Sequence, residues 1–165
     1  MSDVMEPFIY KLGEEVPHDV VFVIVHHSVK ILPDYVFCDS VQLKEVKLPE
    51  GLEEIGGDAF AMCVSLEHIN WPSTLIKIGD YAFDGCRSLK EVKLPEGLEE
   101  IGAEAFFECT SLEQINCPST LIKIGDSAFY GCRSLKQVKL SEGLEEIGAH
   151  AFRGCVSLVW ATGLF

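Results

Sequence analysis

The chain is short of positive charge. Its 165 residues carry 13 Lys and Arg against 26 Asp and Glu, a formal net charge of −13. Surfaces that grip nucleic acid or an anionic membrane need a basic patch, so neither is expected as a partner. Long apolar runs are also missing. The longest, Val20 to Val25, suits a buried strand and falls far below the roughly 18 residues of a membrane-spanning helix. The N-terminus, Met1 to Phe8, lacks a basic segment leading into an apolar one. No signal peptide is expected, and a cytoplasmic location is the default. No Cys-x-x-Cys pair occurs, which argues against zinc. The histidines, His18, His26, His27, His68 and His150, are scattered, and neither a nucleophile–base–acid set nor a glycine-rich phosphate loop emerges. No catalysis and no cofactor are expected. His26 and His27 are adjacent, but neighbours on a strand point to opposite faces; a turn after a strand is the better reading.

What the chain does have is repetition. A unit of 23 residues starts at Leu43, Leu66, Leu89, Leu112 and Leu135 without insertion or deletion, and a further copy opens at Leu158. A fixed period of this length marks a solenoid, because one unit cannot bury its own apolar face and must stack on its neighbours. The expected organisation is an N-terminal cap over 1–19, a degenerate first repeat over 20–42, five full repeats over 43–157 and a truncated last repeat over 158–165. In the cap, Phe8, Ile9, Tyr10 and Leu12 are expected to fold over the first coil. In the degenerate repeat, Ser40 takes the usual cysteine position.

Within the third full unit, Leu89, Val92 and Leu94 precede Pro95. The spacing of Val92 and Leu94 is strand-like, and proline ends the strand because it cannot donate to a ladder. Leu98 to Gly102 is then a short extended segment or a tight turn, closed by a glycine that supplies positive φ. Ala105 to Cys109 reads as one helical turn with Ala, Phe and Cys inward. Of the seven cysteines, Cys63, Cys86, Cys109, Cys132 and Cys155 share one position of the unit. That regularity points to packed thiols rather than to a disulfide framework, which would leave one of the five unpaired.

The string Leu-x-x-Val-x-Leu-Pro-x-x-Leu-x-x-Ile-Gly-x-x-Ala-Phe-x-x-Cys-x-x-Leu closely resembles the BspA-like leucine-rich repeat family over residues 43–158. It does so more weakly over 20–42. The resemblance implies an α/β repeat solenoid: a right-handed superhelix with a parallel β-sheet on one face and short helical turns on the other. It also implies a non-catalytic module for protein–protein interaction or scaffolding, with a cell-surface adhesin fragment as the alternative, since family members are mostly surface or interaction proteins.

A longer period overlies the first. Units from Leu43, Leu89 and Leu135 carry Glu-Gly-Leu-Glu-Glu-Ile-Gly; those from Leu66 and Leu112 carry Ser-Thr-Leu-Ile-Lys-Ile-Gly. Charges alternate accordingly, with Lys44, Glu67, Lys90, Glu113 and Lys136 at the second position and Glu54, Lys77, Glu100, Lys123 and Glu146 at the twelfth. Stacking would set opposite charges side by side. A concave sheet face made of Lys47, His68, Asn70, Lys93, Gln114, Asn116 and Lys139 is the candidate partner-binding surface. The acidic clusters at Glu50, Glu53 and Glu54 and their repeats read as a solvated edge, since a calcium site needs converging oxygens. Trp160, Leu164 and Phe165 close a chain that has run out of repeat. They are expected to mediate weak homodimerisation, the competing reading being an internal cap.

Overall fold

In the computed structural model, which describes residues 6–159, every element is a short strand and every strand pair is parallel. Each coil from residue 20 onward contributes a first strand and a shorter second one, and the N-terminal segment adds one further first strand. The first strands are β1 (Phe8–Tyr10), β2 (Phe22–Val25), β4 (Glu45–Lys47), β6 (His68–Asn70), β8 (Glu91–Lys93), β10 (Gln114–Asn116) and β12 (Gln137–Lys139). The second strands are β3 (Ile31–Leu32), β5 (Glu54–Ile55), β7 (Lys77–Ile78), β9 (Glu100–Ile101), β11 (Lys123–Ile124) and β13 (Glu146–Ile147). So the middle segment of the unit, ambiguous in sequence, is a strand. The molecule carries a second parallel sheet that the one-sheet expectation missed.

The second sheet runs unbroken through all six second strands, β3-β5-β7-β9-β11-β13, whereas the first strands form two sheets, β1-β2-β4-β6 and β8-β10-β12. Between β6 and β8 there is no ladder.

Among the described residues there is no helix, so the helical-turn part of the expected fold is corrected. The reason lies in the backbone. Asp58, Tyr81, Glu104, Ser127 and His150, one per coil, have φ of 53–60°. Four residues on, Met62, Gly85, Glu108, Gly131 and Gly154 are again left-handed. A right-handed helix needs φ near −63° throughout. Between these residues the N–H groups divide their work. Asp58, Phe60 and Met62 donate to the carbonyls of Asp80, Ala82 and Asp84 in the next coil, at 2.7–2.9 Å, while Ala61 and Cys63 close local turns onto Asp58 and Phe60. Donors spent on the neighbouring coil are not available for an i→i−4 ladder.

The glycine after each second strand is also corrected. Gly102 is not among the positive-φ residues. It is needed for approach: a Cβ there would lie 2.6 Å from the Gly79 carbonyl carbon and 2.6 Å from Asp80 N.

Inward positions build one continuous core. Phe37, Phe60, Phe83, Phe106, Phe129 and Phe152 stack along the axis with centroids 5.1–5.3 Å apart and rings within 3–16° of parallel. At the N-terminal end, Tyr10 meets Phe37 edge-on at 5.3 Å. β1 pairs with β2, and Tyr10 is buried there, but Ile9 and Leu12 are 52% and 68% exposed and do not fold over the coil as the cap reading expected.

The cysteine row lies beside the phenylalanines. Each thiol of Cys63, Cys86, Cys109, Cys132 and Cys155 donates to the carbonyl of a phenylalanine in the preceding coil, at 3.0–3.2 Å. All seven cysteines are free; Cys63, Cys86, Cys109 and Cys132 are buried and Cys155 is partly so. Burial pushes the Cys63 thiol up to about 12, and the Cys86 and Cys109 thiols are raised by the same cause.

Candidate functional site

The face carried by the first strands holds the candidate residues. Val46, Val92, Ile115 and Val138 turn inward and are buried, which leaves the residues on either side of each pointing out. Parallel register then aligns them in two rows. Glu45 lies opposite His68 and Lys47 opposite Asn70. Past the break, Gln114 lies between Glu91 and Gln137, and Asn116 between Lys93 and Lys139.

Several of these side chains are already engaged. Lys47 lies 3.8 Å from Glu45 and over the Phe22 ring, 4.9 Å from its centroid. Lys93 sits 3.1 Å from Glu91. His68 lies 4.0 Å from Glu67. Asn70 is committed to the protein itself: its Oδ1 accepts from Leu48 N–H at 2.7 Å and its Nδ2 donates to Leu48 C=O at 2.9 Å. Lysines 44, 47, 90, 93, 136 and 139 border or occupy this face and outnumber Glu45, Glu67, Glu91 and Glu113. The face is thus net positive in a chain of −13.

The expected charge ladders resolve into separate pairs. Lys136 donates to Glu113 at 2.7 Å, which lowers the Glu113 carboxyl through that hydrogen bond and the lysine charge. At the twelfth position Lys77 meets Glu54 and Lys123 meets Glu146, each at 3.6 Å.

A cleft of about 620 Å³ opens where the first sheet is broken, lined by residues 67–71 on one side and Ser88, Lys90, Glu91 and Lys93 on the other. Elsewhere Glu67 N–H donates to Lys44 C=O and Glu113 N–H to Lys90 C=O; Lys90 N–H makes no such bond to Glu67 C=O. On the second-sheet side the same two coils remain joined, with Glu99 N–H bonded to Ile76 C=O and Gly102 N–H to Ile78 C=O. The coils therefore part like a wedge. The residue that differs here is Trp71, at the position filled by Leu48, Leu94, Cys117 and Leu140 in the other full coils. Its ring packs 5.4 Å from Phe83, and Ile69 beside it is only half-buried, unlike its counterparts. The Trp71 Nε1–H is buried and has no hydrogen-bond partner, a condition that costs about 1–3 kcal/mol. Sequence reading missed this site. Its signal was a single oversized residue at a core position of one repeat.

Sequence reading also passed over what fixes one coil to the next. Asp34, Asp80 and Asp126 accept from the N–H of Gly57, Ala103 and Ala149 at 2.6–2.7 Å. At the intervening interfaces, Glu50 and Glu96 accept from the backbone and hydroxyl of Ser73 and Ser119. There Thr74 and Thr120 accept from Gly51 and Gly97 N–H and donate to Leu52 and Leu98 C=O. Two kinds of interface alternate, and this is why the sequence repeats in pairs of units. Glu50 and Glu96 are hydrogen-bonding partners rather than part of a merely solvated edge.

A family pattern described as the BspA type leucine rich repeat region matches six copies, over residues 19–116 and 53–162. The chain belongs to the BspA-type leucine-rich repeat family. Among solved structures, this BspA-type chain is similar to a leucine rich repeat protein of T. pallidum, at 25% identity and a TM-score of 0.71, covering 93% of this chain and 82% of that one. It is also similar to a leucine rich cell surface protein from Faecalibacterium prausnitzii A2-165, at 27% identity and a TM-score of 0.69, covering 92% of this chain; it spans about half, 48%, of that protein. No curated protein matches the chain.

His26 and His27 lie past the end of β2, so the opposite-face argument does not apply to them. Their rings sit 4.1 Å apart, and His26 Nδ1 pairs with Ser28 Oγ at 2.8 Å. Among the described residues, no cluster of three or more His, Cys, Asp or Glu is placed to hold a metal ion, and no helix is long and apolar enough to cross a membrane. Trp160, Leu164 and Phe165, expected to mediate self-association, lie outside the described residues.

Proposed function

We propose that this chain is a non-catalytic interaction module that binds a protein partner through the outward face of its first strands. The observation that supports this reading is the in-register display of polar side chains there, Gln114 and Asn116 between their neighbours in β8 and β12, on a face whose charge opposes that of the rest of the chain. A regular solenoid offers such a surface without needing to move. An adhesin fragment is the second reading, favoured by the likeness to the Faecalibacterium cell surface protein. Self-association through Trp160, Leu164 and Phe165 belongs to the same proposal and is read by sedimentation over a concentration range. A mass that stays monomeric removes it.

The test is capture of a partner from source-cell extract with wild-type protein and with a Lys47→Glu, Lys93→Glu, Lys139→Glu variant. A saturable partner retained by the first and lost by the second is the expected result. A partner retained equally by both would move the binding surface elsewhere. A partner that whole cells or matrix supply, but soluble extract does not, would favour the adhesin.

A further inference from the structure

We propose that the break between β6 and β8 is the recognition point of the face, and that it takes an extended acidic segment of a partner polypeptide added along the open strand edge. The inference rests on the interaction-module reading above and narrows it.

The backbone specifies the class of ligand. His68 N–H donates to Lys44 C=O, so His68 faces β4. In a parallel strand the next residue faces the other way, so the N–H and C=O of Ile69 are directed toward the break. On the far side Lys90 C=O accepts from Glu113 N–H, which turns Glu91 toward the break by the same alternation. An open pair of strand edges is a template for another strand, whose main chain supplies the missing bonds. The other unpaired edges of the first strands are the outer ones of β1 and β12, at the two ends of the described array.

Charge specifies the side chains. The face as a whole is net positive. The cleft itself is lined by Lys90 and Lys93 together with Glu67 and Glu91. Lys93 is held 3.1 Å from Glu91, whereas Lys90 enters none of the ion pairs among the described residues and is the cation left for a partner's carboxylate.

The experiment uses the full chain and a labelled, end-blocked peptide of alternating Val and Glu, read by fluorescence anisotropy. Three controls accompany it: the Val/Lys peptide, a version of the Val/Glu peptide with alternate backbone nitrogens methylated, and Trp71→Leu protein. Leu is the residue that most other coils carry at this place, so Trp71→Leu is expected to stay folded and to close the ladder. A Lys90→Glu, Lys93→Glu variant guards against misfolding of that first one. The expected result is saturable binding of the Val/Glu peptide, weakened at least about tenfold by methylation, by either variant and in the Val/Lys peptide. Equal binding of the methylated peptide, or equal binding to Trp71→Leu, overturns strand addition at this break. Preference for Val/Lys overturns the acidic assignment. Failure of the Val/Glu peptide, with partner capture still sensitive to the lysine reversals, overturns this inference alone. Peptide binding without any such capture overturns the broader reading instead.

Discussion

Asn70 holds Leu48 by both of its backbone groups, the side chain taking the place of a strand in the ladder between two coils. The carboxamide matches a peptide unit in its donor and acceptor. Asn70→Ala is expected to cost about 1–2 kcal/mol, from two hydrogen bonds at the usual net value, read from a shift of the denaturation midpoint. Asn116→Ala, at the same position two coils on, makes no such bond and is the matched control. Equal effects from the two would mean the Leu48 contact does not form in solution.

The phenylalanine stack predicts a coupled core. Phe106 lies between Phe83 and Phe129, at 5.2 and 5.3 Å. Phe106→Ala is expected to cost about 3–5 kcal/mol, the range for a buried aromatic truncated in a packed interior. Because each ring touches its neighbours on both sides, the loss is expected to spread along the array rather than unfold one coil. Proteolysis confined to residues of a single coil would contradict a continuous core.

Alternating interfaces predict that deletions are tolerated in pairs. Removing 89–134 places Asp80 against Ala149, restoring an aspartate interface of the kind seen from Asp80 to Ala103. Removing 89–111 sets one Ser-Thr coil on another, and neither Glu96 remains to meet Ser119 nor Gly97 to meet Thr120. The longer deletion is expected to melt in a sharper transition than the shorter one. The reverse order would remove the pairing argument.

The buried thiols set an alkaline limit. Their folded-state pKa lies above the ordinary value, with Cys63 up to about 12 by burial. An unfolded thiol loses its proton near 8.5, so between these values the native state holds more protons than the unfolded one. Stability is then full below about pH 8.5 and falls as pH rises toward 12. A midpoint that holds steady from pH 8 to 11 would contradict the burial of the row. In native protein at neutral pH, Cys63, Cys86, Cys109 and Cys132 are expected to resist thiol reagents until denaturant is added.

Much of this fold was legible in the chain. The period, the inward Val, Leu, Ile, Phe and Cys positions and the parallel stacking all follow from exact spacing, because solenoid coils repeat their environment as they repeat their sequence. The turn containing Ala105 and Phe106 was misread as helical because apolar spacing reports which side chains go inward and says nothing of φ. Only the left-handed residues at Glu104 and Glu108 distinguish it. Gly102 was assigned a turn conformation when it answers to the backbone of Gly79, a contact between coils that a single repeat does not display. The break at Trp71 departs from the repeat at one residue, and periodic reasoning averages such departures away. Lys47 and Lys139 are exposed at the ends of β4 and β12, as strand alternation dictates, but the commitment of Asn70 to Leu48 needed coordinates.

The account turns on a first sheet that opens at one place while the second sheet holds. Native-state amide exchange on the free protein tests it residue by residue. Ile69, at the open edge, is expected to exchange far faster than Val46 and Ile115, whose strands are paired on both sides, while Gly102 and Glu99, bonded across the same two coils on the second-sheet side, stay protected. Protection of Ile69 equal to that of Val46 would mean that β6 and β8 are joined, and that the recognition site described here does not exist.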